Sequence, residues 1–340
     1  MTNARSIRLK SRPKGAASHE NFGMTQDTLP DPGEGEFLVR ILWLSLDPYM
    51  RGRMNAGKSY TPPVEIGGIM TAQAVGEVVA SRHPGFAEGD IVLGGFGWTD
   101  HAISDGRDVV KVPEGPPIST ALGVLGMPGF TAWTGLGEIT GAAQGETILV
   151  SAATGAVGAM AGQLAKTRGL RTIGVAGGPE KCAFAMDELG YDACLDHRAL
   201  DAAALTTAVA EAAPQGIDVY FENVGGDTLS AAVMNMNDFG RIALCGMIAW
   251  YDGANVEKAA PLPLIWRNIL TRRLRVRGFI VFDHYADFPT FHAEVAPMVM
   301  DGRIKVREDV TEGLENAPDA FFRMLEGGNF GKTLVKVAER

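Results

Sequence analysis

The second half of the chain alternates strand-length apolar segments with helix-length segments, and this alternation limits the fold more than any other feature. The strand-length segments are ETILVSA, RTIGVAG, DACLD, GIDVYFENV and GRIALCGM. Parallel strands buried on both faces are apolar along their whole length and are joined by helical crossovers. The sequence therefore predicts an α/β domain with a doubly wound parallel sheet over residues 127–302.

Residues 36–125 have a different pattern, in which short apolar runs are separated by Gly, Pro and Asp. The runs are EFLVRILWLSL, GEVVA, DIVLGGFG and DVVKV. Many short strands with frequent turns indicate a β-rich domain, which we place at residues 1–126. The Pro- and Gly-rich segment LGMPGFTAWTGLG, residues 125–137, predicts the connection between the domains.

Beyond the alternation, the pattern predicts closing elements that extend either domain. They are a helix at LPLIWRNILTRRL, a strand at RVRGFIVF, a helix near 287–302, a short strand at Lys305 and Val306, a helix at about 315–326 and a strand at KTLVKV. The basic run RRLRVR, residues 272–277, alternates with apolar residues, so it favours a strand with one solvated face over a nucleic-acid site.

Charge and composition exclude several classes of function. The formal net charge of −9 offers no cationic surface for nucleic acid or anionic lipid. Apolar runs are shorter than the roughly 18 residues of a membrane helix, and MTNARSIRLKSRPKG lacks the apolar core of a signal peptide. Three cysteines without paired spacing fit a reducing compartment. We therefore expect a cytoplasmic protein.

The stretch ILVSAATGAVG runs from a predicted strand into a predicted helix. Ala153, Gly155 and Gly158 occupy the positions of a G-x-G-x-x-G fingerprint whose first glycine is alanine. Such glycines also occur in plain tight turns. Because this turn is the first strand-to-helix junction of the alternation, we expect dinucleotide phosphates to bind the unsatisfied amides at the helix start.

The residues after the next strand predict which dinucleotide binds. Sites that prefer NAD usually place a carboxylate at that strand's tip, whereas this chain continues as TIGVAGGPEK. Gly177 and Gly178 open a loop that brings Lys181, with Arg171 or Arg198, toward an additional phosphate. Lys181 is also consistent with an ordinary exposed lysine, but the missing acid favours NADP.

Further segments carry a family resemblance over essentially the whole chain. LSLDPYMRGRM, FENVGG, LCGMIAWY, LENAP and NFGKTLVKV together resemble the zinc-independent prostaglandin reductase/leukotriene dehydrogenase branch of the medium-chain dehydrogenases/reductases. SYTPPVEIGGIM, LGVLGMPGFTAW and VAGGPEKC resemble most the bacterial NADPH-dependent curcumin reductase type. The resemblance implies a GroES-like catalytic domain joined by residues 303–340, a Rossmann domain, a homodimer formed through RVRGFIVF, and NADPH-dependent reduction of α,β-unsaturated ketones and aldehydes.

The resemblance also implies roles for individual residues. Those expected to contact the cofactor are Thr154, Gly155, Ala156, Val157 and Gly158 at the pyrophosphate, Lys181 and His197 at the adenosine phosphate, Asn223, the nicotinamide-side residues Cys245, Gly246, Met247 and Tyr251, the carboxamide contacts Phe279, Ile280 and Val281, and Asn329 from the tail. His197 stands where many relatives have tyrosine, and a surface histidine is an equal alternative.

Zinc ligands are missing from the first half of the chain, so we expect no metal. No cysteine precedes Cys182, and His19, His83 and His101 lack a thiol or close histidine partner. Alcohol oxidation in this superfamily uses zinc to stabilise an alkoxide. Reduction of a conjugated carbon–carbon double bond remains feasible without zinc, since its negative charge develops on an enolate oxygen that one hydrogen-bond donor can hold.

Two tyrosines are candidates for that donor. Tyr251 follows the fifth predicted strand, at the edge where open α/β sheets bind ligands, and the resemblance places the donor there. Tyr60, in SYTPP, is the second candidate and suits the mouth of a substrate site. Tyr49 is more consistent with a structural role, in a loop braced by an ion pair between Asp47 and Arg51.

Two other functions fit the same sequence. A zinc-free NADPH quinone reductase would use the same scaffold with a flat, open site and without Tyr251. A non-catalytic NADPH sensor or structural protein would keep the cofactor site alone. Turnover of conjugated enones separates both from the main prediction.

Overall fold

The chain divides into two compact units that are discontinuous in sequence. The computed structural model describes residues 1–253, 256 and 262–340. Unit 1 comprises residues 1–122 and 308–340, and unit 2 comprises residues 123–307. The functional domain limits proposed from the sequence, at 126 and 302, stay a prediction. Among the helices of the described residues, none has the length and apolar character to cross a bilayer.

The strands and helices of the described residues are numbered in chain order. The strands are β1 (Thr2–Leu9), β2 (Phe22–Leu29), β3 (Phe37–Ser45), β4 (Ala74–Ser81), β5 (Ile91–Gly94), β6 (His101–Ser104), β7 (Val110–Lys111), β8 (Thr147–Ser151), β9 (Arg171–Ala176), β10 (Ala193–Asp196), β11 (Ile217–Glu222), β12 (Met236–Leu244), β13 (Arg275–Gly278), β14 (Glu308–Glu312) and β15 (Lys332–Lys336). The α-helices are α1 (Tyr49–Arg53), α2 (Met127–Thr134), α3 (Ala156–Thr167), α4 (Pro179–Asp187), α5 (Ala202–Ala212), α6 (Gly226–Asn235), α7 (Leu262–Arg272), α8 (Phe288–Met300) and α9 (Ala317–Leu325).

Unit 2 contains a six-stranded parallel sheet in the order β10-β9-β8-β11-β12-β13. The order reverses between β8 and β11, which is the arrangement of a doubly wound sheet. Apolar cores cover both faces, one including Met160 and Leu164 of α3 and the other Leu205 and Val209 of α5. The predicted doubly wound α/β architecture is confirmed.

Unit 1 is β-rich, as the sequence predicts. Its seven-stranded sheet has the order β14-β15-β3-β4-β5-β7, β6 also pairs with β3, and β1 and β2 form a separate antiparallel pair. The C-terminal strand β15 lies antiparallel beside β3, with Val335 opposite Leu44. The core of this unit includes the fully buried side chains of Phe37, Trp98 and Phe321.

The segment predicted as an interdomain connection is helical instead. Residues 127–134 form α2 and Gly135–Ile139 a π-helical turn. Pro128 lies in the first turn, where a missing N–H is tolerated, and Phe130 is fully buried. A Cβ at Gly129 would lie 1.9 Å from the Val124 carbonyl oxygen, so close packing explains this glycine.

Two closing strands differ from the sequence-based expectation. β13 ends at Gly278, which pairs with the last residue of β12, Leu244, and a 3-10 helix occupies Val281–Asp287. Arg272 ends α7, so the basic run is only partly a strand. The strand expected at Lys305 and Val306 begins instead at Glu308, the partner of Lys332 at the start of β15. β13 therefore ends where β12 ends, and β14 begins where β15 begins.

A buried ion pair joins the tail of unit 1 to the loop after β3. Lys332 Nζ donates to Asp47 Oδ1 at 2.7 Å and to the Leu46 carbonyl at 2.8 Å. The two side chains of the pair are only 5% and 7% exposed. Arg51 donates to Asn55 Oδ1 and to the Gly15 carbonyl. The pair expected between Asp47 and Arg51 stays a prediction. The long-range pair was not visible in local spacing.

We expect Lys332→Met to lower the free energy of unfolding by about 3–5 kcal/mol, because it leaves the Asp47 carboxylate buried without a cation. Lys111→Met is the matched control. Lys111 pairs with Asp90 at the same 2.7 Å, but its side chain is 52% exposed, so its loss should cost about 0–1 kcal/mol. Urea unfolding at neutral pH measures both, and similar losses for the two variants would contradict the argument.

Candidate active site

The turn between β8 and α3 lies at the point where strand order reverses. Gly155 is the N-cap of α3, and no side chain caps the helix. The first amides of a helix have no acceptor within it, so those of residues 156–158 remain for an anion. A Cβ at Gly158 would lie 2.1 Å from the Ala152 carbonyl oxygen, whereas one at Gly155 would lie 3.2 Å from it. Gly158 therefore permits the close approach of α3 to the strand end.

Lys181, His197 and Arg198 gather at the tips of β9 and β10. A Cβ on Gly177 would lie 2.9 Å from Arg198 Nε and 3.0 Å from His197 Nε2, so both side chains converge on this glycine. Desolvation lowers the pKa of His197, and the positive charges of Arg198 and Lys181 lower it further. Lys181 and Arg198 form a cationic cluster that suits a phosphate, and the His197 imidazole lies beside it as a hydrogen-bonding group.

Asp196 organises this cluster, and sequence reasoning missed it. Asp196 Oδ1 accepts hydrogen bonds from the backbone N–H of Gly178 at 2.7 Å and of Arg198 at 2.9 Å. Burial acts to raise the pKa of Asp196, but these two donors bring it below its usual value. The Asp196 carboxylate is thus hydrogen-bonded to the backbone of the loops that carry the cluster. An acid at the end of the following strand, in CLDHR, was the available signal.

Asn223 follows β11 and contacts the end of β8. Its backbone N–H donates to Ser151 Oγ at 2.7 Å, and its side-chain Nδ2 donates to the Ser151 carbonyl at 2.8 Å. These bonds fix the orientation of the amide. With Nδ2 engaged, Oδ1 is the atom of this side chain suited to accept a hydrogen bond from a ligand.

The loop after β12 is hydrogen-bonded to the turn that contains Asn223. The Cys245 and Gly246 N–H groups donate to the Glu222 carbonyl, and the Ile248 N–H donates to the Asn223 carbonyl. Tyr251 follows a short 3-10 helix, and its hydroxyl accepts from the Met247 N–H at 3.4 Å. That weak bond uses a lone pair, and a phenol hydroxyl is a hydrogen-bond donor as well as an acceptor.

Cys245 has no features of a nucleophile. Burial, with the nearby charge of Glu222, raises the pKa of its thiol to about 12. A thiol with such a pKa stays protonated at neutral pH.

The structure brings most of the predicted site residues of unit 2 to one edge of its sheet. Residues 154–158, 181, 197, 223, 245–251 and 279–281 all follow the carboxyl ends of strands. The ring of Phe279 lies beside the π-helical turn, as shown by the 3.3 Å that would separate it from a Cβ added to Gly135. The carboxyl edge of an open parallel sheet is where such folds bind ligands.

Tyr60 and Asn329 belong to unit 1. Tyr60 is about half exposed, and partial burial raises the pKa of its hydroxyl, with Arg53 opposing and Asp47 reinforcing the rise. Asn329 Nδ2 donates to the Gly331 carbonyl at 3.0 Å, within the segment that leads into β15. In the part of the chain that the structure describes, no three His, Cys, Asp or Glu side chains are grouped as metal ligands.

Comparison with known proteins gives the family. Residues 5–112 match the family described as N-terminal domain of oxidoreductase, and residues 156–296 match the zinc-binding dehydrogenase family. The chain is 48% identical to NADPH-dependent curcumin reductase of Escherichia coli, over 97% of this chain and 96% of the relative. It is 40% identical to prostaglandin reductase 1 of Bos taurus, over 99% of this chain and all of the relative.

A solved structure supports the same assignment. The crystal structure of CurA from Vibrio vulnificus in complex with NADPH is 46% identical, covers 99% of this chain and 100% of its own, and superposes with a TM-score of 0.93. The chain belongs to the medium-chain dehydrogenase/reductase family, in the branch that contains the curcumin and prostaglandin reductases. The resemblance inferred from the sequence is confirmed.

Proposed function

We propose that this protein is an NADPH-dependent reductase of the carbon–carbon double bond in α,β-unsaturated ketones and aldehydes. The observation that carries the proposal is the carboxyl edge of the unit 2 sheet, where uncapped helix amides, a cationic cluster and a tyrosine follow neighbouring strands. The names of the curcumin and prostaglandin reductases support the reaction class.

The residues at this edge fit a phosphorylated dinucleotide. The amides at the start of α3 would hold the pyrophosphate, together with Thr154 and Val157. Lys181, His197 and Arg198 would hold the 2′-phosphate, and Asn223 would accept from the ribose or nicotinamide side. Residues 245–247 and 279–281 would contact the rest. When bound, NADPH supplies the hydride that the β-carbon of the substrate receives.

Tyr251 would stabilise the charge that develops on the substrate. As the β-carbon gains hydride, negative charge develops on the carbonyl oxygen, and one donor can hold this enolate until the α-carbon takes a proton. The Tyr251 hydroxyl follows the carboxyl end of β12 on a loop fixed by backbone hydrogen bonds. Tyr60 is the second candidate. Like any tyrosine hydroxyl it is protonated at neutral pH, and partial burial raises its pKa further.

Replacing Tyr251 with Phe should lower kcat for a conjugated enone by roughly ten- to a thousandfold, because the oxyanion loses its donor. Loss of NADPH absorbance in the presence of a simple alkyl enone measures the rate. Tyr285→Phe, a partly exposed tyrosine of the same unit, is the control and should retain full activity. Equal rates for the Tyr251 variant and the wild type would remove Tyr251 from this role. A wild type that oxidises no NADPH with any enone would contradict the enzymatic function.

Lys181→Ala should lower the ratio of kcat/KM for NADPH to that for NADH by about ten- to a hundredfold, the value of one charge-assisted hydrogen bond. Only the phosphorylated cofactor loses a contact. Lys166→Ala is the control, since Lys166 pairs with Asp192 at 2.5 Å on the far end of α3. An unchanged ratio for Lys181→Ala would show that the 2′-phosphate binds elsewhere.

We further propose that the protein is a homodimer formed at β13, the outer strand of the unit 2 sheet. All four residues of β13 are exposed, and so are the apolar side chains of Leu262, Trp266 and Leu270 on α7. An exposed edge strand beside apolar side chains favours pairing with another copy. Light scattering should give twice the chain mass, and Val276→Lys should shift the mass toward a monomer. A wild-type monomer at micromolar concentration would contradict the proposal.

A further inference from the structure

Glu222 is the last residue of β11, and its side chain is fully buried. Its Oε1 accepts three hydrogen bonds, from Val224 N at 2.6 Å, Gly225 N at 3.0 Å and Ser151 Oγ at 3.0 Å. Its Oε2 has no hydrogen-bond partner among the described residues. Burying a carboxyl group is costly unless its oxygens accept hydrogen bonds. The polar group is therefore kept for the contacts of Oε1.

The three contacts join the end of β8 to the turn after β11. Ser151 Oγ accepts from the Asn223 N–H at 2.7 Å, and its hydroxyl has two acceptors, Glu222 Oε1 at 3.0 Å and the Phe221 carbonyl at 3.2 Å. Asn223 is in turn bonded to the Ser151 carbonyl. The carboxyl group thus fixes the hydroxyl on which the orientation of Asn223 depends.

The same turn carries the loop of Tyr251. The Glu222 carbonyl accepts from Cys245 N at 2.9 Å and Gly246 N at 3.0 Å, and the Val224 carbonyl accepts from Ala249 N at 3.0 Å. The side chain of Glu222 holds the N–H of Val224, so it sets the peptide planes to which residues 245–249 are bonded. A movement of this turn would displace both the side chain of Asn223 and the loop that carries Tyr251.

We propose that Glu222 is a positioning residue of the active site: through Ser151, Val224 and Gly225 it places both Asn223 and the loop that carries Tyr251. The proposal rests on the function proposed above. Burial raises the pKa of Glu222, and its backbone donors oppose the rise. The structural role needs a hydrogen-bond acceptor at Oε1 but does not need a negative charge. A glutamine side chain supplies the same acceptor without a charge.

The test compares Glu222→Ala with Glu222→Gln. Glu222→Ala should raise the Kd of NADPH by about tenfold or more, because the turn loses its shared acceptor. With saturating NADPH and enone it should also lower kcat by about tenfold, because the hydroxyl of Tyr251 is displaced. Glu222→Gln should keep both quantities within about threefold of wild type, since its Oε1 accepts the same bonds.

A coupled variant separates positioning from general loss of stability. In the Tyr251→Phe background, Glu222→Ala should lower kcat by less than about twofold, because no hydroxyl is left to displace, while the rise in Kd persists. Val209→Ala, a cavity in the core on α5, is the stability control. It should lower Tm without altering Kd. NADPH fluorescence gives Kd, and thermal unfolding gives Tm.

The outcomes are distinguishable. If kcat effects of Glu222→Ala and Tyr251→Phe multiply, or if Glu222→Gln is as impaired as Glu222→Ala, the positioning role is wrong. If Glu222→Ala does not fold, Ser151→Ala carries the test, and an unchanged Kd for NADPH then overturns the proposal. A wild type that fails to bind NADPH contradicts the proposed function instead, before any variant is compared.

Discussion

The reversal of strand order between β8 and β11 is the constraint on which the rest of unit 2 depends. Chain connections leave these two neighbours in opposite directions, so the carboxyl ends border an open crevice. The turn into α3 starts on one side of it and the turn that carries Asn223 on the other. Ser151, at the end of β8, is hydrogen-bonded to both Glu222 and Asn223 and ties the two sides together.

The carboxyl groups of Asp196 and Glu222, at this edge of the sheet, accept hydrogen bonds from backbone N–H groups. Asp196 and Glu222 both lie at strand ends close to where an anionic cofactor would bind. Asp196 accepts one backbone N–H from the turn after β9 and one from the turn after β10, and Glu222 accepts two from the turn after β11. The cationic side chains and the amides of α3 therefore face a ligand without a competing free carboxylate in these two positions. The two carboxyl groups fix the loop conformations, and an anionic ligand would be bound by the α3 amides and the cationic side chains.

Local spacing was sufficient to predict the sheet and its first turn, because strand and helix lengths and the glycines at 155 and 158 are properties of neighbouring residues. Contacts distant in sequence were not predictable. Lys332 and Asp47 are separated by 285 positions, and Asp196 and Glu222 act on backbone groups whose positions the fold determines. The helix at 127–134 was missed because its Gly and Pro content is typical of a linker. In the structure the proline lies in the first helical turn and the glycine permits close packing.

The tail of the chain completes unit 1, since β15 lies between β14 and β3 and Lys332 neutralises Asp47. During synthesis, all of unit 2 emerges from the ribosome before this strand does. Unit 2 can therefore close its core first, while residues 43–45 of β3 still lack the partner that β15 provides. Pairing of β15 with β3 thus determines when this exposed strand end is covered.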